Sequence, residues 1–198
     1  KIKEALISAL ASEFKHLLGE DPRQAEHYVR IVNERAYDRL LGYFGDGTIV
    51  FGGQHERSER YIAPTILDGV SPDSAVMQDE IFGPIFPVQT FSDTDEAIQF
   101  VTRREKPLAL YYFGKKGAKR VLRHTSSGGA CINDTIMHIV NEHLPFGGVG
   151  MSGMSSYHGV ESFKAFSHRR AVVTTPTWLD LPFRYMPYTF FRWVKRIL

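Results

Sequence analysis

Two side chains in the segment from Gln78 to Pro84, Glu80 and Phe82, could together bind a ligand in which a sugar is joined to a planar ring. The Glu80 carboxylate offers two acceptor oxygens for sugar hydroxyls, and Phe82 offers a flat apolar face that supports a ring. Gly83 leaves room for the close approach of another group. Judged by residue type alone, a solvated Glu80 and a core Phe82 are the commoner arrangement. The residue types therefore make this segment a candidate ligand-binding loop without establishing it.

The single cysteine, Cys131, lies near Asn133, His138 and His143 in the sequence. A thiol with an imidazole and an amide could form a relay like those of cysteine hydrolases. Cys131, however, sits in a short apolar run at 130–132, and a buried cysteine usually behaves as a small inert hydrophobe. We therefore predict that Cys131 is not catalytic.

Three apolar residues, Ile136, Ile139 and Val140, follow at helical spacing, and Phe146 stands at the entry to a glycine-rich turn. Such a pattern belongs more often to a core than to a ligand pocket. A lone histidine such as His158 is likewise more often a structural donor than a ligand contact. The segment 148–153 matches the G-x-G-x-x-G pattern of dinucleotide-binding folds. No regular hydrophobic strand precedes it and no acidic residue follows about 20 positions later, so we do not assign it that role.

The elements around these residues alternate between strands and helices. Apolar periodicity predicts a helix over 1–18 that ends at Gly19, and a helix capped by Asn33. Later segments read strand, helix, strand, helix, strand, which indicates a parallel sheet flanked by helices in an α/β fold. The apolar run 108–113 is expected to be buried on both faces. Predicted strands cover 48–51, 61–67, 85–91, 108–113 and 130–132.

Several blocks of this sequence resemble the aldehyde dehydrogenase superfamily, and in particular its class 3 branch, which includes the fatty aldehyde dehydrogenases. The blocks occur in the order that the family has. One such block would be weak, but the ordered series is specific. They are RYIAPTIL at 60–67, EIFGP at 80–84, REKPLALY at 104–111, SSGG at 126–129, LPFGGVG at 144–150, SGM at 152–154, YHG at 157–159 and FSHRR at 166–170.

The resemblance implies an architecture for the chain. Residues 1–163 would form the later portion of an aldehyde dehydrogenase-like catalytic domain, an α/β fold. Residues 164–175 would form a C-terminal β-arm that pairs with a second subunit, so a homodimer is expected. Residues 176–198 would form a basic, aromatic tail.

The resemblance also implies a reaction, in which aldehydes are oxidised to carboxylic acids with NAD, or alternatively NADP, as cofactor. Medium-chain, long-chain or aromatic aldehydes are the expected substrates. Glu80 would bind the nicotinamide ribose hydroxyls and Phe82 would pack against the nicotinamide. Substrate contacts would come from Ile136, Ile139, Val140, Phe146 and, at the mouth of the tunnel, His158.

The nucleophilic cysteine of the family precedes the region that resembles this chain, so the resemblance implies that no catalytic residue lies in this chain. The expectation is therefore an oxidoreductase represented by a partial chain, and the isolated 198 residues are expected to be inactive. The alternative is a non-catalytic, truncated isoform that acts as a binding or dimerisation module. A reading frame upstream of Lys1 that encodes the cysteine motif would favour the first interpretation.

Composition and charge narrow the function classes further. The formal net charge of +2 gives no reason to expect nucleic-acid binding, the eight histidines show no metal-ligand spacing, and one cysteine cannot form a disulfide within the chain. A reducing, cytoplasmic location is expected. Residues 164–198 carry seven Lys/Arg and one acid. With their interleaved aromatics they suit peripheral contact with an intracellular membrane, although packing against the protein body is the commoner role.

Overall fold

A computed structural model of the chain describes residues 2–180, 184–188 and 195–196. The chain divides into two compact units, Lys1–Gln99 and Phe100–Leu198. This division falls inside the segment 1–163 that we assigned to one catalytic domain, and the assigned domain boundaries stay a prediction. Within the described ranges, no helix is long and apolar enough to cross a bilayer.

The first unit contains two of the predicted helices at the expected places. Helix α1 ends where Gly19 adopts a left-handed φ of 78° and donates its N–H to the Lys15 carbonyl, as predicted. Helix α2 begins after Asn33, whose side chain accepts the Ala36 N–H at 2.8 Å, so the predicted cap is confirmed. The helices of this unit are α1 (Lys3–Leu18), α2 (Glu34–Gly42) and most of α3 (Thr94–Thr102), and its strands are β1 (Thr48–Phe51), β2 (His55–Glu56), β3 (Tyr61–Ile62), β4 (Thr65–Asp68) and β5 (Ile85–Val88).

The main sheet of this unit has the order β1-β4-β5, with β4 and β5 parallel and β1 antiparallel. The predicted strand over 61–67 is interrupted, because Pro64 lacks a backbone donor and separates β3 from β4. Tyr37 and Leu40 of α2 are fully buried with Ile62 and Leu67 in the core. The apolar face of α2 is thus held against the sheet, which fixes the position of its polar side chains.

An ion pair links α1 to the end of β4. The Lys3 ammonium donates to the Asp68 carboxylate at 2.6 Å, and both side chains are partly covered. This hydrogen bond lowers the pKa of Asp68 and raises that of Lys3. The pair therefore contributes to stability only while both groups are charged.

The second unit is built around β6 (Ala109–Tyr112) and β7 (Gly129–Ile132), which pair in parallel through α4 (Ala118–His124). Two short helices follow, α5 (Met137–Val140) and α6 (Gly159–Ala165). The prediction that 108–113 is buried on both faces is wrong for this chain, since Tyr111 is 40% and Phe113 65% exposed. Among the described residues, β6 has a hydrogen-bonded neighbour on one edge only.

The C-terminal segment carries no strand in its described part. Helix α6 includes residues 164 and 165 of the predicted arm, and 166–175 run without strand pairing, with Val173 87% exposed. The predicted β-arm is thus not a strand within the single chain, because a strand requires a hydrogen-bonding neighbour. Of the predicted tail, residues 181–183, 189–194 and 197–198 lie outside the described residues.

Candidate functional site

The loop that carries Glu80 and Phe82 is attached to α2 by one arginine. Arg39 donates from Nη2 to the Ile81 carbonyl at 2.7 Å and from Nη1 to the Glu80 carbonyl at 3.3 Å. The same guanidinium donates to the Tyr43 hydroxyl at 2.6 Å and lies 5.4 Å from the Tyr43 ring centroid. Because α2 is anchored in the core, Arg39 transmits its position to the backbone of this loop.

The loop backbone presents its two functional side chains to the outside. Phe82 has a φ of 50°, in the left-handed region that non-glycine residues rarely adopt, and 78% of its surface is exposed. The Glu80 side chain is also exposed. The commoner arrangement, with Phe82 in the core, is therefore absent, and an exposed ring beside an exposed carboxylate is available to a ligand.

Gly83 is required by close packing rather than by its backbone conformation. A Cβ at this position would lie 2.6 Å from both terminal methyl carbons of Leu40, which is fully buried. Any side chain would push the loop away from α2 and weaken the contacts of Arg39. The glycine and the arginine thus act together to hold the loop.

In the second unit, Phe146 is the centre of a group of rings. Its ring lies 5.7 Å from that of His158 in a stacked arrangement and 5.5 Å from that of Tyr157 edge to face. On another side, the His138 ring lies 5.8 Å away. Paired backbone hydrogen bonds of 2.9 and 3.0 Å between Phe146 and Tyr157 fix the two segments to each other. The structure thus places the rings of Phe146 and His158 in direct contact.

The three aliphatic candidates lie on and beside α5. Ile136 precedes the helix with a left-handed φ of 65° and is 55% exposed, Val140 is 62% exposed, and Ile139 is half-buried. The predicted helical face is therefore shorter than expected, because Ile136 lies outside the regular helix. His138, within α5, connects this segment to Phe146 by ring contact.

Cys131 is buried, 8% exposed, as predicted, but it has an interaction that the sequence did not indicate. Its Sγ lies 3.2 Å from Nδ1 of His138, and Nε2 of that imidazole is buried without a hydrogen-bond partner. Asn133 takes no part in this pair, since its amide bonds the backbone of Gly114 through contacts of 2.7 and 3.3 Å. The group that would orient the imidazole in a hydrolase relay is therefore engaged elsewhere.

A cavity of about 540 Å³ adjoins the aromatic group. Phe146 and Tyr157 line it with Leu108, Met154 and Phe166, so its wall is mainly apolar. The other candidates, Ile136, Ile139, Val140 and His158, do not line it. Among the substrate candidates, only Phe146 faces this volume.

Comparison with known proteins identifies the family. The model of the aldehyde dehydrogenase family matches residues 1–172. Aldehyde dehydrogenase family 3 member B1 of Rattus norvegicus is 47% identical over 193 residues, which are 96% of this chain and 41% of the relative. A Bos taurus protein named "aldehyde dehydrogenase, dimeric NADP-preferring" is 46% identical, with 88% of this chain and 74% of the relative covered. The chain belongs to the aldehyde dehydrogenase family.

Solved structures agree with this assignment. The substrate-bound state of AldH from Staphylococcus aureus superposes with a TM-score of 0.86 at 44% identity and covers 99% of this chain and 44% of that one. An indole-3-acetaldehyde dehydrogenase in complex with NAD+ gives 0.71 at 26% identity, covering 83% of this chain and 35% of that one. The α/β fold predicted from the sequence is therefore confirmed, and the chain spans about two fifths of the length of most of these relatives.

Two residues that organise the site were missed by sequence reasoning. Arg39 and Tyr43 stand four apart on a helix, a spacing that indicates contact between them. Nothing in that spacing points to residues 80 and 81, which are about forty positions away. His138 was recognised as close to Cys131 in the sequence, but the direct contact between their side chains was not predicted.

Proposed function

We propose that the protein is an NAD(P)-dependent aldehyde dehydrogenase and that this chain contributes its nicotinamide loop and part of its aldehyde pocket. Membership of the family supports this proposal, as do the names of the relatives, all of which are aldehyde dehydrogenases. The observation that carries it is the loop held by Arg39, which presents the Glu80 carboxylate and the Phe82 ring together.

The residues of the loop fit a nicotinamide nucleotide. The exposed Glu80 carboxylate can accept hydrogen bonds from both hydroxyls of a ribose, and Phe82 can pack its face on the adjacent ring. When bound, the nicotinamide supplies the acceptor for a hydride from the substrate. The contribution of this chain is orientation, since Arg39 and Gly83 hold the two side chains before the cofactor arrives. The relatives include one that is NADP-preferring and one in complex with NAD+, so either cofactor is consistent.

The aldehyde would bind against the aromatic group around Phe146. Flat rings and aliphatic side chains favour an apolar aldehyde, of medium or long chain or aromatic, over a small polar one. We assign Ile136, Ile139 and Val140 to the same pocket because they flank His138, which contacts the Phe146 ring. His158 offers the polar edge of this pocket, since its Nδ1 is buried without a hydrogen-bond partner.

The thiolate that attacks the aldehyde would come from residues outside this chain. Cys131 is unsuited to that role because it is buried, and because Asn133, which could orient the imidazole beside it, bonds the backbone of Gly114 instead. The experiment is an assay of NADH formation with a medium-chain aldehyde, on the protein translated from the complete transcript and on the isolated 198 residues. We expect turnover by the former only. Turnover by neither would favour the non-catalytic module, and turnover by the isolated chain would contradict the assignment of the nucleophile.

We further propose that residues 164–175 pair with a second subunit in a homodimer. One relative is named as dimeric, and the exposed valines of this segment, Val172 and Val173, suit an added strand.

For the tail, residues 176–198, we propose weak membrane contact of a cytoplasmic protein through exposed aromatic residues such as Trp178 and Tyr185. Deleting 176–198 should reduce sedimentation with anionic vesicles, and equal sedimentation would contradict the membrane contact.

A further inference from the structure

A basic cavity of about 340 Å³ lies in the second unit, apart from the residues assigned to cofactor and aldehyde. Four basic side chains line it: Arg104 and Lys106 from the segment after α3, and Arg123 and His124 from the end of α4. Among the described residues, no acidic side chain lines it, although Glu105 lies between two of these residues in the sequence. Separate stretches of chain therefore bring positive charge to one concave place.

Two of the basic side chains in this cavity differ in their pairing from other basic positions of the chain. Lys164 pairs with Glu161 at 2.7 Å, and Lys3 pairs with Asp68 at 2.6 Å. Lys106 and Arg123, in contrast, have no ion-pair partner in the part of the chain that the structure describes. Lys106 and Arg123 repel each other when they approach the same cavity, and a bound anion relieves that repulsion.

The end of α4 would ordinarily disfavour an anion, because the last carbonyls of a helix carry partial negative charge. Here two of those carbonyls are occupied. The Arg120 carbonyl lies 2.8 Å from Nδ1 of His124, and the Val121 carbonyl accepts the Thr125 hydroxyl at 2.8 Å. A ring nitrogen that faces a carbonyl donates its hydrogen to it, so Nδ1 of His124 covers the Arg120 carbonyl. The helix end is thus partly masked, and Arg123 in its last turn adds positive charge.

We propose that this cavity binds a phosphorylated small ligand or headgroup. Arginine guanidinium groups bind phosphate oxygens in a bidentate manner, and lysine adds a point charge. Arg104 is held at the wall by contacts with α3, with Nη1 3.2 Å from the Phe100 carbonyl and Cζ 3.7 Å from the Phe100 ring centroid. Ser126 adds a hydroxyl group to the wall. The volume matches the lower end of small-molecule pockets, which begin at about 300 Å³.

The test is direct binding to the protein translated from the complete transcript, at physiological salt. Glycerol phosphate is titrated by calorimetry, and vesicles of phosphatidylcholine with phosphatidic acid are tested by co-sedimentation. The double variant Lys106→Gln, Arg123→Gln removes two charges from the cavity. The control Lys115→Gln, Lys119→Gln removes the same charge from exposed positions of the same unit that do not line the cavity.

We expect the cavity variant to weaken binding of at least one probe by about tenfold or more, and the control by less than about twofold. Loss confined to glycerol phosphate identifies a soluble phosphorylated ligand, and loss confined to vesicles identifies a lipid headgroup. Equal weakening by both double variants, or binding of neither probe by the unsubstituted protein, would overturn the proposal. Aldehyde turnover is not part of the readout, so this result stands apart from the proposed enzymatic function.

Discussion

Replacing Arg39 by methionine should weaken cofactor binding although Arg39 itself need not touch the cofactor. The substitution keeps an apolar stem of similar length and removes the donors to the carbonyls of Glu80 and Ile81. Without them, the loop is free to leave a conformation in which Phe82 has a φ of 50°. A left-handed residue of this kind costs about 1–2 kcal/mol, so the strain favours that departure.

The magnitude follows from the hydrogen bonds that are lost. Bonds from a charged donor contribute about 1.5–3 kcal/mol each, and we take the low end for the pair because Arg39 is exposed. About 1.5 kcal/mol of lost preorganisation raises the dissociation constant for NAD by about tenfold. The change also removes the donor to the Tyr43 hydroxyl, but Tyr37 and Leu40, the buried residues of α2, keep their packing, and the fold should persist.

The assay is equilibrium binding of NAD to the protein translated from the complete transcript, followed by calorimetry. Arg35→Met is the matched control, because it removes an exposed arginine one turn away on the same helix. A dissociation constant unchanged by Arg39→Met, or raised equally by the control, would refute the claim that Arg39 positions the loop.

Three further substitutions test the account. Gly83→Ala should lower both the thermal stability and the affinity for NAD, because the added Cβ would collide with the Leu40 side chain. Overpacking of this kind costs about 1–3 kcal/mol, and an unchanged melting temperature would contradict the prediction. Asp68→Asn should destabilise the protein near neutral pH. Since Lys3 depresses the pKa of Asp68, the contribution exists above the ordinary value of about 3.9 and is lost as pH falls through the depressed pKa, so urea unfolding should show the two forms converging in acid. Cys131→Ala should retain aldehyde oxidation with a modest loss of stability, and loss of turnover without unfolding would contradict its non-catalytic role.

Features with local causes were predicted well from the sequence. The end of α1 at Gly19 follows from the left-handed backbone that glycine adopts, and the start of α2 follows from the short side chain of Asn33. The break at Pro64 in the predicted strand over 61–67 also has a local cause, because proline has no backbone N–H to donate. These signals act over a few residues, so no knowledge of tertiary structure is needed.

Features that depend on distant contacts could not be predicted in this way. The role of Arg39 arises from a contact with a loop about forty residues later, and its residue type gives no sign of it. The exposure of Phe82 results from the same loop backbone, whereas hydrophobicity alone favours burial. The prediction that the strand over 108–113 is buried was wrong for a related reason. Burial depends on which other elements pack against a strand, and the apolar pattern of one segment does not specify them.

The most direct test of the central claim is the effect of Glu80→Gln on NAD binding. In the protein translated from the complete transcript, this change removes the charge of the acceptor that we assign to the ribose hydroxyls. Asp79→Asn, on the adjacent exposed residue, is the control. We predict a dissociation constant for NAD raised by about tenfold or more in Glu80→Gln and nearly unchanged in Asp79→Asn. Equal dissociation constants for the unsubstituted protein and Glu80→Gln would contradict the assignment of this loop to the nicotinamide cofactor.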